Sequence, residues 1–291
     1  MAAILGVGIA TIDIINTLSA YPAENSEVRA LMQTRTRGGN ATNTLSVLTQ
    51  LGHQCQWLGC LTGDPDGDFI RSELDASGVG YQYCKIHHQG AMPTSYIALN
   101  QHNGSRTIVH YRDLPELSLS DCTELPWPAF SWIHLEGRNV EQTRLLLKQL
   151  RDNSYPGKLS IEIEKPRDNI SALYEYADLL IFSRHFVETS GISDPVRFLH
   201  QTRAATGDRA DLVCAWGESG AYGLDTLNNL HQSPAFPPPR VIDTLGAGDV
   251  FNAGLIHACL RHSPLSSALE SACRLAGKKC GQLGLRNLMA P

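Results

Sequence analysis

The sequence carries no dense run of basic residues. Its 24 Lys and Arg stand against 29 Asp and Glu, a net charge of −5, which argues against nucleic acid or an anionic membrane as the main partner. No stretch approaches the roughly eighteen uninterrupted apolar residues of a membrane span. The opening "MAAILGVGIATIDII" is apolar, but it lacks a basic lead and meets Asp13 early. That predicts a buried first strand rather than a secretory signal, and a cytoplasmic protein. The eight cysteines (55, 60, 84, 122, 214, 259, 273 and 280) include no CxxC pair. Reduced, mostly buried thiols are expected. Eleven histidines show no HExxH spacing, and no GxSxG elbow is present, so neither a zinc site nor a serine hydrolase is indicated. "AGKKC" (276–280) fails as a phosphate loop, because Ala272 stands where Gly is required and Lys279 where Ser or Thr would hold magnesium. "GDPDGDF" (63–69) lacks the glycine and glutamate of a calcium loop and reads as a polar turn.

What is present points to an α/β enzyme. A chain of 291 residues, 42% of them hydrophobic, fills one large α/β domain or two modest ones. "AILGVGIATIDII" reads as one buried strand of a parallel sheet, and "SEVRALMQTRTRGG" as an antiparallel ribbon. "NATNTLSVLTQLG" reads as a helix opened by Asn40 and closed by Gly52. "QCQWLGCLT" predicts a strand, "DGDFIRSELDASGV" a helix, and "TSYIALNQ" with "SRTIVHYR" a hairpin turning at Asn103–Gly104. Thereafter "FSWIHLEG", "VEQTRLLLKQL", "KLSIEIE", "ISALYEYA", "DLLIFS", "DPVRFLHQTRAAT" and "DLVCAWG" alternate between strand and helix. Such alternation implies βαβ units and a sheet covered on both faces. "DVFNAGLIHACLRH" and "PLSSALESACRLAGKKCG" close the chain as two helices. The excursions near 11–37 and 93–115 are too polar for core strands and are expected to form a lid over a core made of 1–10, 38–92 and 116–291.

Three stretches carry chemistry. In "DTLGAGD" (243–249) the turn Leu245–Gly248 would aim several N–H groups at one spot at the start of a helix, where anions bind. Asp249 then stands beside a bound phosphate, either as a helix cap or as the base that takes a proton from an attacking hydroxyl. An ordinary aspartate, with a pKa near 3.9, is ionised at neutral pH and needs no tuning for that role. "RGGNATN" (37–43) offers backbone groups at Gly39 and the carboxamides of Asn40 and Asn43, which suit a neutral polyol. Asp13, read at the end of the first strand, falls where ligands of parallel sheets bind. Glu136 and Arg138 in "HLEGRN" are a salt-bridged pair or cleft residues, and Lys165 is solvated or faces phosphate.

"DTLGAGDVFNAG" and "RGGNATN" resemble the two signatures of the ribokinase-like (PfkB-type) carbohydrate kinases. "YPAENSEVR", "NGSRTIV", "WIHLEGRN", "IEIEKPR", "VCAWGESGA", "AFPPPRVIDTLGAGD" and "LAGKKCG" resemble its ketohexokinase branch, and these blocks cover almost the whole chain. The resemblance implies a three-layer α/β/α core with a mostly parallel sheet and a small β-clasp lid that pairs two copies. It implies transfer of the γ-phosphate of ATP, with Mg2+ and a stimulating monovalent cation such as K+, to the 1-hydroxyl of D-fructose. Asp249 then matches the base and Gly246, Ala247 and Gly248 the anion hole. Asp13, Asn25, Gly39, Asn40, Asn43, Glu136 and Arg138 fall at the sugar. Arg106, Lys165, Trp216, Gly217, Gly220, Phe236, Pro237 and Cys273 fall at the nucleotide. The chain departs from the family in two places. Asn25 stands where the animal enzymes carry aspartate, and "IFSRHF" stands where many members hold magnesium through NxxE, leaving Glu162 and Glu164 as outer-shell substitutes and no assigned metal ligand. Another neutral sugar and a non-catalytic sugar or nucleotide sensor are the alternatives. The intact GAGD opposes the sensor.

Overall fold

The computed structural model describes residues 1–122 and 125–289. The expected core span 116–291 therefore includes residues 123–124 and 290–291, which lie outside the described residues. Strand β1 (Ala3–Val7) lies inside a nine-stranded sheet, between strands that arise far apart in sequence. In chain order the next strands are β2 (Thr11–Leu18), β3 (Met32–Gly38), β4 (Gln54–Leu58), β5 (Cys60–Thr62), β6 (Val79–Gly80), β7 (Lys85–His87), β8 (Thr94–Asn100) and β9 (Arg106–Tyr111). They are followed by β10 (Trp132–Glu136), β11 (Lys158–Ile163), β12 (Leu179–Ser183), β13 (Asp211–Ala215), β14 (Ala221–Leu224) and β15 (Leu230–Ser233). The large sheet runs β15-β14-β13-β12-β11-β10-β1-β4-β6, parallel from β13 to β6, with β14 and β15 antiparallel at one edge.

Helices α1 (Asn40–Gln50), α2 (Pro65–Ala76), α6 (Ala247–Leu260) and α7 (Leu265–Cys280) share one apolar layer of the core. Helices α3 (Val140–Asp152), α4 (Arg184–Thr189) and α5 (Pro195–Thr206) share the other. Alternate residues of one strand feed both layers: Leu179 and Ile181 join the first, Leu180 and Phe182 the second. A sheet covered on both faces needs such strands, buried throughout. All eight cysteines are free thiols, five of them buried.

A separate four-stranded sheet, β3-β2-β8-β9, is built from the two polar excursions. The chain leaves the large sheet at Gly8, whose N–H still bonds Leu58 O at 3.2 Å, and enters the small one at Thr11. The expected single strand "AILGVGIATIDII" is thus two strands in two sheets. The residues about the junction, Val7, Ala10, Thr11 and Ile12, are all buried, so the apolar run gives no sign of the break. Asp13 consequently lies within β2, hydrogen-bonded between β3 and β8, and not at the end of β1. "QCQWLGCLT" divides in the same way into β4 and β5, which join different sheets. "SEVRALMQTRTRGG" is a strand only over Met32–Gly38, and "ISALYEYA" forms the tighter 3-10 helix Ile170–Tyr176. The β14–β15 pair and α4 were not expected.

Gly8 allows this departure because nothing larger fits. A Cβ there would lie 2.2 Å from Glu136 Oε1 and 2.9 Å from Ala41 Cβ. Gly8→Ala should cost about 2 kcal/mol and lower Tm by about 5 °C through overpacking at this crossing. A calorimetric Tm within 1 °C or so of the parent would contradict that account.

Candidate active site

Helix α6 starts at Gly246, whose φ of 79° is a left-handed conformation that only glycine adopts at little cost. No side chain caps this end. The Leu245 N–H is taken by Asp243 Oδ1 at 2.8 Å and the Ala247 N–H by Thr244 O at 3.2 Å. The N–H groups of Gly246, Gly248 and Asp249 have no acceptor among the described residues, so the anion-binding end narrows from the expected Leu245–Gly248 to these three. A Cβ at Gly248 would meet nothing within 4 Å, which leaves the approach open. Asp249 sits in the first turn of the helix, but its carboxylate does not cap. Its Oδ2 accepts from Asn43 Nδ2 at 2.7 Å, and the residue is 6% exposed.

Asn43 belongs to α1, which follows β3 directly. Gly39 is the N-cap of that helix and Asn40 its first residue, so Asn40 does not cap as expected. Its amide instead donates to Glu162 Oε2 at 3.1 Å and Glu164 Oε2 at 3.2 Å. Arg37 donates to Asn43 Oδ1 at 3.2 Å and to Ser46 Oγ at 2.7 Å, which fixes the Asn43 amide with its nitrogen toward Asp249. Burial pushes the Arg37 guanidinium down to about 10. Asp13 lies in register with Ser95 on β8, which lies in register with His110 on β9. Asp13 accepts from Thr11 Oγ1 at 2.8 Å, and Ser95 Oγ bonds His110 Nδ1 at 3.2 Å. Burial raises the Asp13 carboxyl against the pull of the Thr11 and Ser95 hydrogen bonds and of Arg37.

Behind these amides stand further acids. Asn252, three residues beyond Asp249 on the same helix, donates to Glu162 Oε1 at 3.0 Å. Glu136 Oε1 accepts from the N–H groups of Ala41 at 2.9 Å and Ile9 at 3.3 Å, while Arg138 pairs with its Oε2 at 3.2 Å. Burial, then the charge of Glu162, raises the Asp249 carboxyl well above 3.8. Burial, then Glu164 and Glu136, pushes Glu162 up to about 8. Asp249 and Glu162 titrate as a pair. The expectation of an untuned aspartate is therefore corrected, because a carboxylate stripped of water beside another charge resists ionisation.

The residues expected at the nucleotide lie elsewhere, around the sheet edge and α7. Trp216 is buried with the Arg184 guanidinium 5.7 Å from its ring. Gly217 and Gly220 flank a short turn, and a Cβ on Gly220 would stand 2.0 Å from Ser233 O. Phe236 lies 3.9 Å under Arg274, Pro237 is exposed beside it, and Cys273 is buried on α7. Lys165 is exposed and pairs with Glu164 at 3.4 Å. Arg106, at the start of β9, and Asn25, in the loop after β2, are exposed and bond to none of the other named residues. Sequence reasoning omitted Arg37 and Asn252. The signal for Asn252 was its place three residues after Asp249 on one helix face, and for Arg37 an arginine set against paired glycines.

An α/β sheet with an open helix N-terminus beside an amide-lined acid has the groups that phosphoryl transfer uses. The pfkB family carbohydrate kinase profile matches residues 1–291, and the chain belongs to that family: it is an enzyme that phosphorylates a sugar hydroxyl. It is 38% identical over 293 residues to ketohexokinase from Mus musculus, covering 98% of each chain. Ribokinase from Giardia lamblia shares its fold with a TM-score of 0.84 at 16% identity, over 98% of this chain and 94% of that one. Arabidopsis thaliana ribokinase complexed with ribose and ATP gives a TM-score of 0.80 at 19% identity, over 97% and 94%. Among the described residues no helix is long and apolar enough to cross a membrane.

Glu162→Gln should move the acidic limb of the activity profile to lower pH, because it removes a charge that keeps Asp249 protonated. Stability should respond as well. The folded-state value of Glu162 lies above its ordinary 4.5. Its contribution is therefore present below 4.5 and lost as pH rises toward 8. The Tm of the variant relative to the parent should thus be higher at about pH 9 than at about pH 5. An unmoved limb with a pH-independent Tm difference would contradict the pairing.

Proposed function

We propose that the protein transfers the γ-phosphoryl group of ATP to the 1-hydroxyl of D-fructose, giving fructose 1-phosphate and ADP. The observation that carries this reading is the Asp249 carboxylate, held by Asn43 at 2.7 Å beside the open N–H groups of Gly246 and Gly248. The sugar oxygen bonds to γ-phosphorus as the bond to the β-phosphate oxygen breaks. Asp249 takes the hydroxyl proton, and the turn Gly246–Gly248, with Ala247 in its first helical turn, faces the charge on the transferred group. Asp13, Gly39, Asn40 and Asn43 bind the sugar hydroxyls, with Glu136 and Arg138 completing that wall. Fructose is favoured by the identity to mouse ketohexokinase and by the neutral amides at the sugar site.

Trp216, Gly217, Gly220, Phe236, Pro237 and Cys273 receive the nucleotide, and Arg106 and Lys165 approach its phosphates. Magnesium would be held on those phosphates. Among the described residues no group of three His, Cys, Asp or Glu side chains could hold a metal, and both Glu162 oxygens already accept amide donors. The donor set would leave the ion to the nucleotide, where it would neutralise phosphate charge, with Glu164 as an outer residue and no side chain assigned as an inner ligand. The sheet of 11–37 and 93–115 is the lid, which excludes water when it closes. Exposed Leu31, Met32, Tyr96, Val109 and Tyr111 on that sheet favour pairing of two copies through their lids. In that pair Asn25 is carried to the neighbouring sugar, where an amide, unlike a carboxylate, also donates.

The deciding assay is ADP release from magnesium-ATP across a sugar panel, with the position of phosphorylation determined for each active sugar. D-fructose giving the 1-phosphate supports the reading; preference for another neutral sugar replaces the substrate and keeps the chemistry. Asp249→Ala should lower kcat by about 10³-fold or more while calorimetric ATP binding survives, and loss of both would assign Asp249 a structural role. Asn25→Asp should change the KM for sugar by about 5-fold with little effect on kcat. An unchanged KM removes Asn25 from the sugar site.

A further inference from the structure

We infer that Lys279 is a positioning residue for phosphoryl transfer: its buried ammonium fixes the anion turn through Asp243 and cancels the aspartate charge beneath it. The inference rests on the proposed role of Gly246–Gly248 as the phosphate cradle. Lys279 lies in the last turn of α7 with its side chain 0% exposed, among the largest wholly buried side chains of the molecule. Its Nζ donates to Asp243 O at 2.9 Å and to Asp243 Oδ2 at 2.6 Å. Asp243 stands three residues before Gly246, and every atom it offers is used. Oδ1 accepts the Leu245 N–H at 2.8 Å, and Oδ2 also accepts the Gly284 N–H at 3.0 Å. The Cys280 carbonyl, next to Lys279, accepts the N–H groups of Ile242 at 2.7 Å and Asp243 at 3.3 Å. The end of α7 therefore grips the segment that leads into the turn.

Burying a lysine is costly, and an apolar side chain of similar length would fill the space more cheaply. A purely mechanical anchor has no need of the charge. The charge has a use here because the Asp243 carboxylate holds the Leu245 N–H, in the same turn as the N–H groups that are to receive an anion. Left alone, that carboxylate would repel the γ-phosphoryl group as negative charge builds on it. Paired with Lys279 it is neutral to its surroundings, while its oxygen still orients the Leu245 N–H. The same helix carries Cys273 and Gly277, and a Cβ on Gly277 would overlap the Phe236 carbonyl. Thus α7 links the nucleotide side of the cleft to the turn. "AGKKC", which fails as a phosphate loop, acts from behind one.

The test compares the parent, Lys279→Met and Lys279→Met with Asp243→Asn, using fructose-dependent ADP release and hydrogen exchange of the 241–250 segment without nucleotide. Lys279→Met should lower kcat by about 100-fold, as does loss of a donor to developing charge. The KM for fructose should stay within about 2-fold, because no sugar contact is touched. Exchange in 241–250 should quicken about 10-fold, while that of 94–111 stays unchanged. Adding Asp243→Asn removes the stranded charge and should recover about 10-fold in kcat, which a packing defect would not do. Lys279→Met with kcat within about 3-fold of the parent and unaltered exchange overturns the inference, as does a double variant no better than the single one. If Lys279→Met does not fold, the double variant, which buries no lone charge, decides: parental kcat overturns the proposal, and a lowered kcat at parental KM supports it. A parent that phosphorylates no sugar defeats the proposed function instead, and exchange in 241–250 then decides the role of Lys279 alone.

Discussion

The hydrogen bond from Asn43 to Asp249 joins residues 206 positions apart. It requires that the N-termini of α1 and α6 meet, and the rest of the architecture serves that meeting. The break at Gly8 sends the chain out to the small sheet and returns it at Gly38, so that α1 starts beside the cleft. The parallel strands β10 and β11 bring Glu136 and Glu162 beneath it from their carboxyl ends. Arg37 sets the direction of the Asn43 amide, and thereby presents its donor side to the acid. Without that orientation the amide would offer an oxygen to a carboxylate.

The cleft consists of acids spaced by amides. Asn40, Asn43 and Asn252 each donate to a carboxylate that is largely withdrawn from water. Amides carry no charge, so they satisfy the oxygens without neutralising them, and the raised values of Asp249 and Glu162 follow. A base shifted upward is a stronger proton acceptor once ionised, which suits removal of a proton from a sugar hydroxyl. In the wall proposed for the sugar, the Arg138 charge is likewise paired, with Glu136.

Much of this was legible in the sequence because it is local. Small residues before Asp249 and paired glycines before Asn40 are short-range signals, and alternation of strands and helices gave the layered core. The failures are long-range. Little beside Gly8 or Gly59 marks a change of sheet, because Val7 and Ala10 flank one break and Leu58 and Cys60 the other, all of them buried. Asn252 meets Glu162 across 90 residues and Lys279 meets Asp243 across 36, so no motif contains both partners. Asp249 read as an ordinary aspartate because its burial, and the charges of Glu162, Glu164 and Glu136 that add to it, come from parts of the chain distant in sequence. The Asn40 side chain read as a cap because its true partners lie on β11 and just beyond it.

The stretch after α7 also bears on the cleft. Gly284 bonds the Asp243 carboxylate, while Gln50 on α1 donates to the Leu285 carbonyl and accepts from the Leu288 N–H. The side chain of Leu285 packs against Gly246, 3.2 Å from where a Cβ would stand. Residues 279–288 thus buckle the first helix to the turn that opens α6. The geometry of that turn is therefore set from outside its own helix, so that a change within residues 279–288 would reach the open N–H groups without touching them.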